Sequence, residues 1–300
     1  REAFAHHSMD IRVHKSYVHN IEIVGQPVLP RQRLIQDKVR KRVADTIEGL
    51  IDAKVISRGK SRKHYSNFVP IVKPNGKLRL CIDMIALNKH IKSITSIVRM
   101  GSPNRLLHRI IGKKFMWSLD LQNAYFHISV SPFCAQYYGV YSHTTFQDEI
   151  GFDRLIQGEK NAVFSYNDMT NQTFGSKHEF LMFWVDDGLI YENNGLMMVV
   201  HFRDVVETVD RNGLSLAPDK LDFNRKVIRF LGKDIHKDKG CVQIPEAKIA
   251  GLKELKPPCS YSSLRSFMGV LRYYNGHIPA VGIASYPLQE LSRNQTKKSF

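Results

Sequence analysis

The spacing of apolar residues along the chain predicts most of its elements. Leu34, Val39, Val43, Ile47 and Leu50 recur every three to five residues, with Lys38, Arg40, Lys41 and Arg42 between them. That is one amphipathic helix with a basic outer face. "NFVPIVKPNGKLRLCID" (67–83) has two β-rich runs around Pro-Asn-Gly, a hairpin whose tip is crowded by Lys73, Lys77 and Arg79. "KKFMWSLDLQNAYFHISV" reads as a strand ending at Asp120, with a turn or short helix after it. "NAVFSYNDMTNQTF" is helical, and "LMMVVHFRDVVETVDRNG" is a helix stopped by Asn212-Gly213. "KVIRFLGKDIHKDKGCVQI" is a second hairpin. "SYSSLRSFMGVLRYYNGHI" has helical spacing, with Ser260, Ser262 or Ser263 as N-cap. Residues 1–18 lack periodicity, and His6, His7, His14 and His19 read as part of a solvated tail. Strands alternating with helices give an α+β fold, and the hairpins exclude a purely parallel sheet.

The most apolar stretch, "FLMFWVDDGLIY" (180–191), is interrupted by Asp186 and Asp187. Neighbouring residues on a strand face opposite ways, so the pair is expected at a hairpin tip, with Gly188 accepting positive φ. Asp120 also ends an apolar strand. Two strand-end carboxylates can meet on neighbouring strands, where they repel unless a cation neutralises them. Sparse oxygen ligands suit Mg²⁺, which keeps water and substrate phosphates in its other positions. Two such ions can activate a hydroxyl nucleophile and stabilise a leaving pyrophosphate.

Charge sharpens that reading. The 300 residues carry 44 Lys and Arg against 28 Asp and Glu, a net +16, which favours a polyanionic partner such as nucleic acid. A 43% hydrophobic content supports a sizeable core, and no apolar run reaches the ~18–20 residues of a membrane helix. No secretory pattern follows Arg1, and four widely spaced cysteines form no CxxC pair, so reduced thiols are expected. A basic chain with strand-end carboxylates predicts nucleotidyl transfer.

The motifs, in order, resemble the reverse transcriptases of long-terminal-repeat retrotransposons, nearest the gypsy-like and retroviral type. "VHNIEIVGQPV" is similar to the family's opening segment, and residues 67–91 resemble the fingers motif that handles the incoming triphosphate. "FMWSLDLQNAYFHI" and "RLIQGEKNAVFS" resemble the first and second palm motifs. "FWVDDGLIY" stands at the Tyr-x-Asp-Asp signature, "LAPDKLDF" at the fourth motif, and "VIRFLGKDI" at the primer-gripping hairpin. "LRSFMGVLRYYNGHIP" is similar to the segment leading out of the thumb.

The resemblance implies a right-hand fold of fingers, palm and thumb, with an antiparallel palm sheet carrying the carboxylates. Its boundaries are a poorly ordered lead-in at 1–18, fingers at 19–110 and 130–165, and palm at 111–129 and 166–243. A thumb and the start of a connection toward an absent ribonuclease H domain take 244–300. Asp120, Asp186 and Asp187 would bind two Mg²⁺ ions, with Mn²⁺ able to substitute. Lys73 and Arg79 would grip the triphosphate, and Leu121 would help hold the nucleotide-bound metal through its carbonyl. Tyr125 would exclude a 2′-hydroxyl, and Gln157 and Gly158 would line the nucleotide pocket. Lys220 would protonate pyrophosphate, while Trp184, Phe230, Leu231 and Gly232 would position the primer end. The partners implied are an RNA or DNA template with its primer, deoxynucleoside triphosphates, and other domains of a parent Pol polyprotein, with no membrane.

Several positions depart from the family pattern. Trp184 replaces the signature tyrosine, and Ile85 replaces an arginine. Ile156 and Val163 replace prolines, and Glu159 replaces an apolar residue. "IVRMGSP" lacks the proline-spaced approach to the palm, and residues 134–153 match poorly. An impaired, diverged or decaying copy that only binds nucleic acid is therefore the rival to an active polymerase. A Mg²⁺-dependent phosphohydrolase using Asp120 and Asp187 is a third class, and it leaves the basic charge and the ordered motifs unexplained.

Overall fold

The computed structural model describes residues 3–59, 61–74, 76, 78–95, 103–141, 149–184, 187–223 and 225–294. Its contacts divide the chain into two compact units, residues 1–100 with 114–224, and residues 101–113 with 225–300. Residues 225–243 group with the C-terminal helices, through contacts described below.

In the first unit, helix α1 (Asp37–Asp52) buries Val39, Val43, Ile47 and Leu50, as the spacing predicts. Leu34 lies outside it and is exposed. The helix ends at Ala53 with Lys54 in the left-handed region, φ 56°. Lys54 N–H donates to Ile51 O at 2.9 Å and Val55 N–H to Leu50 O at 2.8 Å, which satisfies two carbonyls at the helix end. Val55 and Leu50 then enter the same apolar core as Phe68, Leu87, Tyr138 and Phe152.

Strands are numbered in chain order. The expected hairpin is β3 (Tyr65–Val72) against β4 (Leu78–Asp83), antiparallel from Asn67↔Asp83 to Val72↔Leu78. It closes a five-stranded sheet with β2 (Ile56–Arg58), β7 (Gly139–Val140) and β8 (Ile150–Phe152), in the order β2-β8-β7-β3-β4. The turn residue Lys77 lies outside the described residues, as do 96–102 in the approach to the palm.

The second sheet positions the carboxylates. It contains β5 (Phe115–Asp120), β9 (Leu181–Trp184), β10 (Asp187–Glu192) and β11 (Asp222–Phe223), in the order β11-β5-β10-β9 with every pairing antiparallel. Helices α2 (Ala162–Phe174) and α3 (Gly195–Arg211) contribute Tyr166, Met169, Val205 and Val209 to a core with Leu119, Ile190 and Leu216. Gly213 follows α3 at φ 72°, the stop the sequence predicts. A short parallel pair joins β1 (Val18–His19) to β6 (Ser129–Val130).

The hairpin reading of "VDDG" needs correction. Asp187 is not at the tip: it opens β10, opposite Trp184, and residues 185–186 lie outside the described residues. Gly188 lies within the strand and does not take a positive φ. It is glycine for space, because a Cβ there would collide with the Leu119 and Phe183 side chains.

The lead-in also differs from a solvated tail. Ala3, Ile11, His14 and His19 are buried, and Ala3 O accepts the Leu216 N–H at 2.7 Å. Apolar residues too sparse to show a period still pack when tertiary partners surround them.

In the second unit, β12 (Val227–Phe230), β13 (Lys233–His236) and β14 (Cys241–Gln243) form an antiparallel meander, one strand more than the predicted hairpin. Leu231 (φ 53°) and Gly232 (φ 67°) make the two-residue turn between β12 and β13. That turn is held by the Tyr273 hydroxyl on Leu231 O at 2.7 Å and by Lys248 Nζ on Gly232 O at 2.9 Å. Tyr273 closes α4 (Tyr261–Tyr273), which Ser260 caps by a reciprocal bond pair with Ser263. Among the described residues no helix is long and apolar enough to cross a membrane.

Candidate active site

Strand register brings the acidic residues to one place. Asp187 is directly opposite Asp120 across the β5–β10 pair, so both side chains leave the same face of the sheet. Trp184 is opposite Asp187 on the other side, on that same face. Asp222 pairs with Ser118, two residues before Asp120, and shares the face as well, which the sequence reading missed. No periodicity marks so short an edge strand.

Lys220 Nζ donates to Asp120 Oδ1 at 2.8 Å. The lysine reaches it because residues 214–217 run beside the end of β5. Leu121 bridges Leu216, Gln122 N–H donates to Ser215 O at 2.8 Å, and Ala217 N–H donates to Asp120 O at 2.9 Å. Pro218–Lys220 then forms a short 3₁₀ turn that carries the ammonium back over the carboxylate.

Asp120 and Lys220 border a cleft of about 1060 Å³ in the first unit. Its lining includes Lys73, Arg79, Asp120, Leu121, Tyr125, Gln157, Gly158 and Lys220, eight residues the sequence reading had singled out. Arg42, Asp45 and Thr46 of α1 also line it, as do Ser8 and Met9, none of which had been assigned to the site. The run Lys38–Arg42 was the available signal for Arg42. Lys73, Arg79, Arg42 and Lys220 make the rim strongly cationic, suited to a polyphosphate.

The cleft wall is tied together by side-chain bonds. Arg79 Nη2 donates to Gln157 Oε1 at 2.9 Å. Asn88 clamps the next turn: its Nδ2 donates to Gly158 O at 2.9 Å and its Oδ1 accepts the Lys160 N–H at 2.8 Å. Gly158 has φ 100°, a conformation open to glycine. The Tyr125 ring lies 5.2 Å from that of Tyr166, which is fully buried on α2.

Beneath Gln157 and Gly158 lies a buried acid. Glu159 Oε2 is 3.4 Å from His19 Nε2, and both side chains are shielded from solvent. Burial pushes the Glu159 carboxyl up to about 7 and the His19 imidazole down to about 4. Desolvation penalises both charges, which weakens any ion pair between them. His19 Nδ1 is 2.7 Å from Ser165 Oγ, and Glu159 Oε2 accepts the Asn161 N–H at 3.0 Å.

The structure does not bring every expected residue into the cleft. Trp184 and Asp187 do not line it, Phe230, Leu231 and Gly232 belong to the second unit, and Asp186 lies outside the described residues. Among the described residues no three His, Cys, Asp or Glu side chains converge as a metal site. Asp120 and Asp187 put carboxylate oxygens on one face of the sheet, the donor type that Mg²⁺ accepts.

A profile of the reverse transcriptase (RNA-dependent DNA polymerase) family matches residues 71–235, more than half of the chain. The chain is 27% identical over 234 residues to the Transposon Tf2-3 polyprotein of Schizosaccharomyces pombe, an overlap of 77% of this chain and 17% of that protein. It is 26% identical over 250 residues to the Enzymatic polyprotein of Cauliflower mosaic virus (strain CM-1841), which covers 81% of this chain and 35% of that one. The chain thus spans a minor part of these curated relatives. Its fold is similar to that of the foamy viral protease-reverse transcriptase solved with an RNA/DNA hybrid, with a TM-score of 0.77 at 17% identity over 98% of this chain and 39% of that one. The structure of a form of that protein with double-stranded DNA gives a TM-score of 0.80 at 18% identity, over 95% of this chain and 49% of that one. The chain belongs to the reverse transcriptase (RNA-dependent DNA polymerase) family and has the polymerase fold.

Proposed function

We propose that this domain is an RNA-directed DNA polymerase of a gypsy-like retroelement, which extends a primer on an RNA or DNA template with deoxynucleoside triphosphates. The observation that carries the reading is the placement of Asp120 opposite Asp187, with Lys220 on Asp120 and both of those residues lining a cationic cleft. Asp120, Asp186 and Asp187 would hold two Mg²⁺ ions, which supply the positive charge that activates the primer 3′-hydroxyl and stabilises the leaving pyrophosphate.

The chain's own groups do the rest. Lys73 and Arg79 bind the triphosphate and offset the charge that builds on it. Gln157 orients the Arg79 guanidinium through their 2.9 Å bond. Tyr125, backed by Tyr166, bars a 2′-hydroxyl by its position. Lys220 gives a proton to the departing pyrophosphate, and Asp120 holds that ammonium in place beforehand. Residues 19–243 would act as fingers and palm and residues 244–300 as thumb, with Phe230–Gly232 positioning the primer end. The setting is an intracellular particle or the nucleus, beside other domains of a Pol polyprotein.

Primer extension with Mg²⁺ on a homopolymer template tests this. Product above an Asp120→Asn control is expected, and its absence sinks the proposal. One observation favours the impaired, binding-only reading: Glu159 places an ionisable group directly under the nucleotide-pocket turn. That reading predicts retention of primer–template without extension, and recovery of extension in Glu159→Leu with Ile156→Pro.

A further inference from the structure

The beginning of the chain reaches the site. Ser8 and Met9 line the cleft. The Ser8 carbonyl accepts two side-chain amides, Gln122 Nε2 at 3.0 Å and Asn123 Nδ2 at 2.6 Å. Those two residues form the turn between Asp120 and Tyr125. Asn123 sits at φ 48°, ψ 47°, left-handed backbone that asparagine adopts at a smaller cost than most residues with a Cβ.

The other end of the same turn is held too. Tyr125 lies in a single 3₁₀ turn, Ala124–His127. The Arg12 carbonyl lies 3.0 Å from His127 Nδ1, which must therefore carry the proton. The His127 carbonyl accepts the His14 N–H at 2.8 Å. Arg12 is fixed to Asp210 of α3 by a 2.8 Å ion pair. Beyond it, His14, Tyr17 and His19 meet Thr173, Asp168 and Ser165 of α2 at 3.0, 2.9 and 2.7 Å. That helix also carries Tyr166, the ring behind Tyr125.

We propose that residues 8–14 are a positioning strap for the nucleotide pocket. They fix both ends of the Gln122–His127 turn, and so set where Tyr125 stands and how well the pocket rejects a ribose. This rests on the polymerase reading above. A carbonyl anchored by its own segment is a rigid acceptor, and two convergent amides offset the cost of the left-handed Asn123. Without them the turn is no longer tied to the strap, and the Tyr125 ring shifts with it. A strap that merely covers the palm surface would affect stability and leave sugar selection untouched.

The test compares wild type with Gln122→Ala/Asn123→Gly, with a chain lacking residues 1–9, and with the two changes combined. Glycine at 123 keeps the left-handed conformation accessible, so the variant removes the bonds without adding strain. In single-nucleotide primer extension, the double variant is expected to raise the deoxynucleotide KM on the order of tenfold and to lower deoxy-over-ribo preference. The truncation is expected to do the same. The combined protein should be no worse than the truncation, because the truncation already removes the Ser8 carbonyl that both amides hold. Additive losses, or an unchanged preference in both, overturn the proposal.

Amide hydrogen exchange over 121–127 gives a readout independent of activity. Faster exchange in all three variants is expected, and exchange at the wild-type rate overturns the proposal. Should wild type make no product, the polymerase reading fails by itself and exchange alone decides the strap. Should the truncation not fold, the side-chain variant still decides it.

Discussion

Lys220 Nζ stands 2.8 Å from Asp120 Oδ1, although a hundred residues separate them in the chain. The pair joins the proposed proton donor to the proposed metal ligand, and it can be opened from either side. Asp120→Asn is expected to lower primer extension by at least ~10³-fold, since it removes a charge on which transition-state stabilisation depends. Lys220→Met, which loses only a proton donor, should lower kcat by roughly 10²-fold with little change in nucleotide KM. Single-turnover rates in Mg²⁺ separate the two, and equal losses would argue against distinct roles.

Tyr125 rests on Tyr166 at 5.2 Å, so its ring is backed rather than free to swing. Tyr125→Ala should cut the preference for deoxynucleotides over ribonucleotides by about 10- to 100-fold, since a steric exclusion is lost. Competing incorporation of the two sugar forms of one base measures this.

Gly188 lies between the Leu119 and Phe183 side chains in the sheet that carries the carboxylates. Gly188→Ala should destabilise the first unit by about 1–3 kcal/mol through overpacking. Urea denaturation read from the unit's own tryptophans, Trp117 and Trp184, is the check, and a neutral change would show that the neighbours can yield.

Glu159 gives the stability of the fold a pH dependence of unusual sign. Its carboxyl titrates at about 7 when folded against an ordinary 4.5, so the neutral form is favoured by folding. The associated stability is complete below the ordinary value and disappears as pH rises through about 7. The difference corresponds to about 3 kcal/mol. His19 opposes it on the acid side: its imidazole is lowered from 6.5 to about 4, so its contribution is present above 6.5 and lost as pH falls through 4. Glu159→Gln should therefore be more stable than wild type at pH 8 and similar to it at pH 4.5, as thermal unfolding across that range will show.

Lys54 ends α1 in a conformation that costs a residue with a Cβ about 1 kcal/mol. Lys54→Gly keeps both closing hydrogen bonds and is expected to raise stability by about 0.5–1 kcal/mol, read as a higher denaturation midpoint at unchanged m-value.

What could be read without coordinates was local. The period of Val39, Val43, Ile47 and Leu50 named a helix and its buried face, because a helix needs one apolar stripe whatever covers it. Pro-Asn-Gly and Asn212-Gly213 marked a turn and a helix stop, since those residue types suit backbones that others adopt at a cost. The ordered motifs and the surplus of Lys and Arg pointed to nucleotide chemistry. Periodicity says nothing about partners, however. That Asp187 faces Asp120, that Gly188 is required for room rather than for a turn, and that Asn88 clamps Gly158 are facts of register and packing between distant segments. Residues 3–19 show the difference most sharply. Their composition reads as a solvated tail, yet Ser8, Arg12, His14 and His19 each find a partner more than a hundred residues away, and only the folded chain supplies those partners.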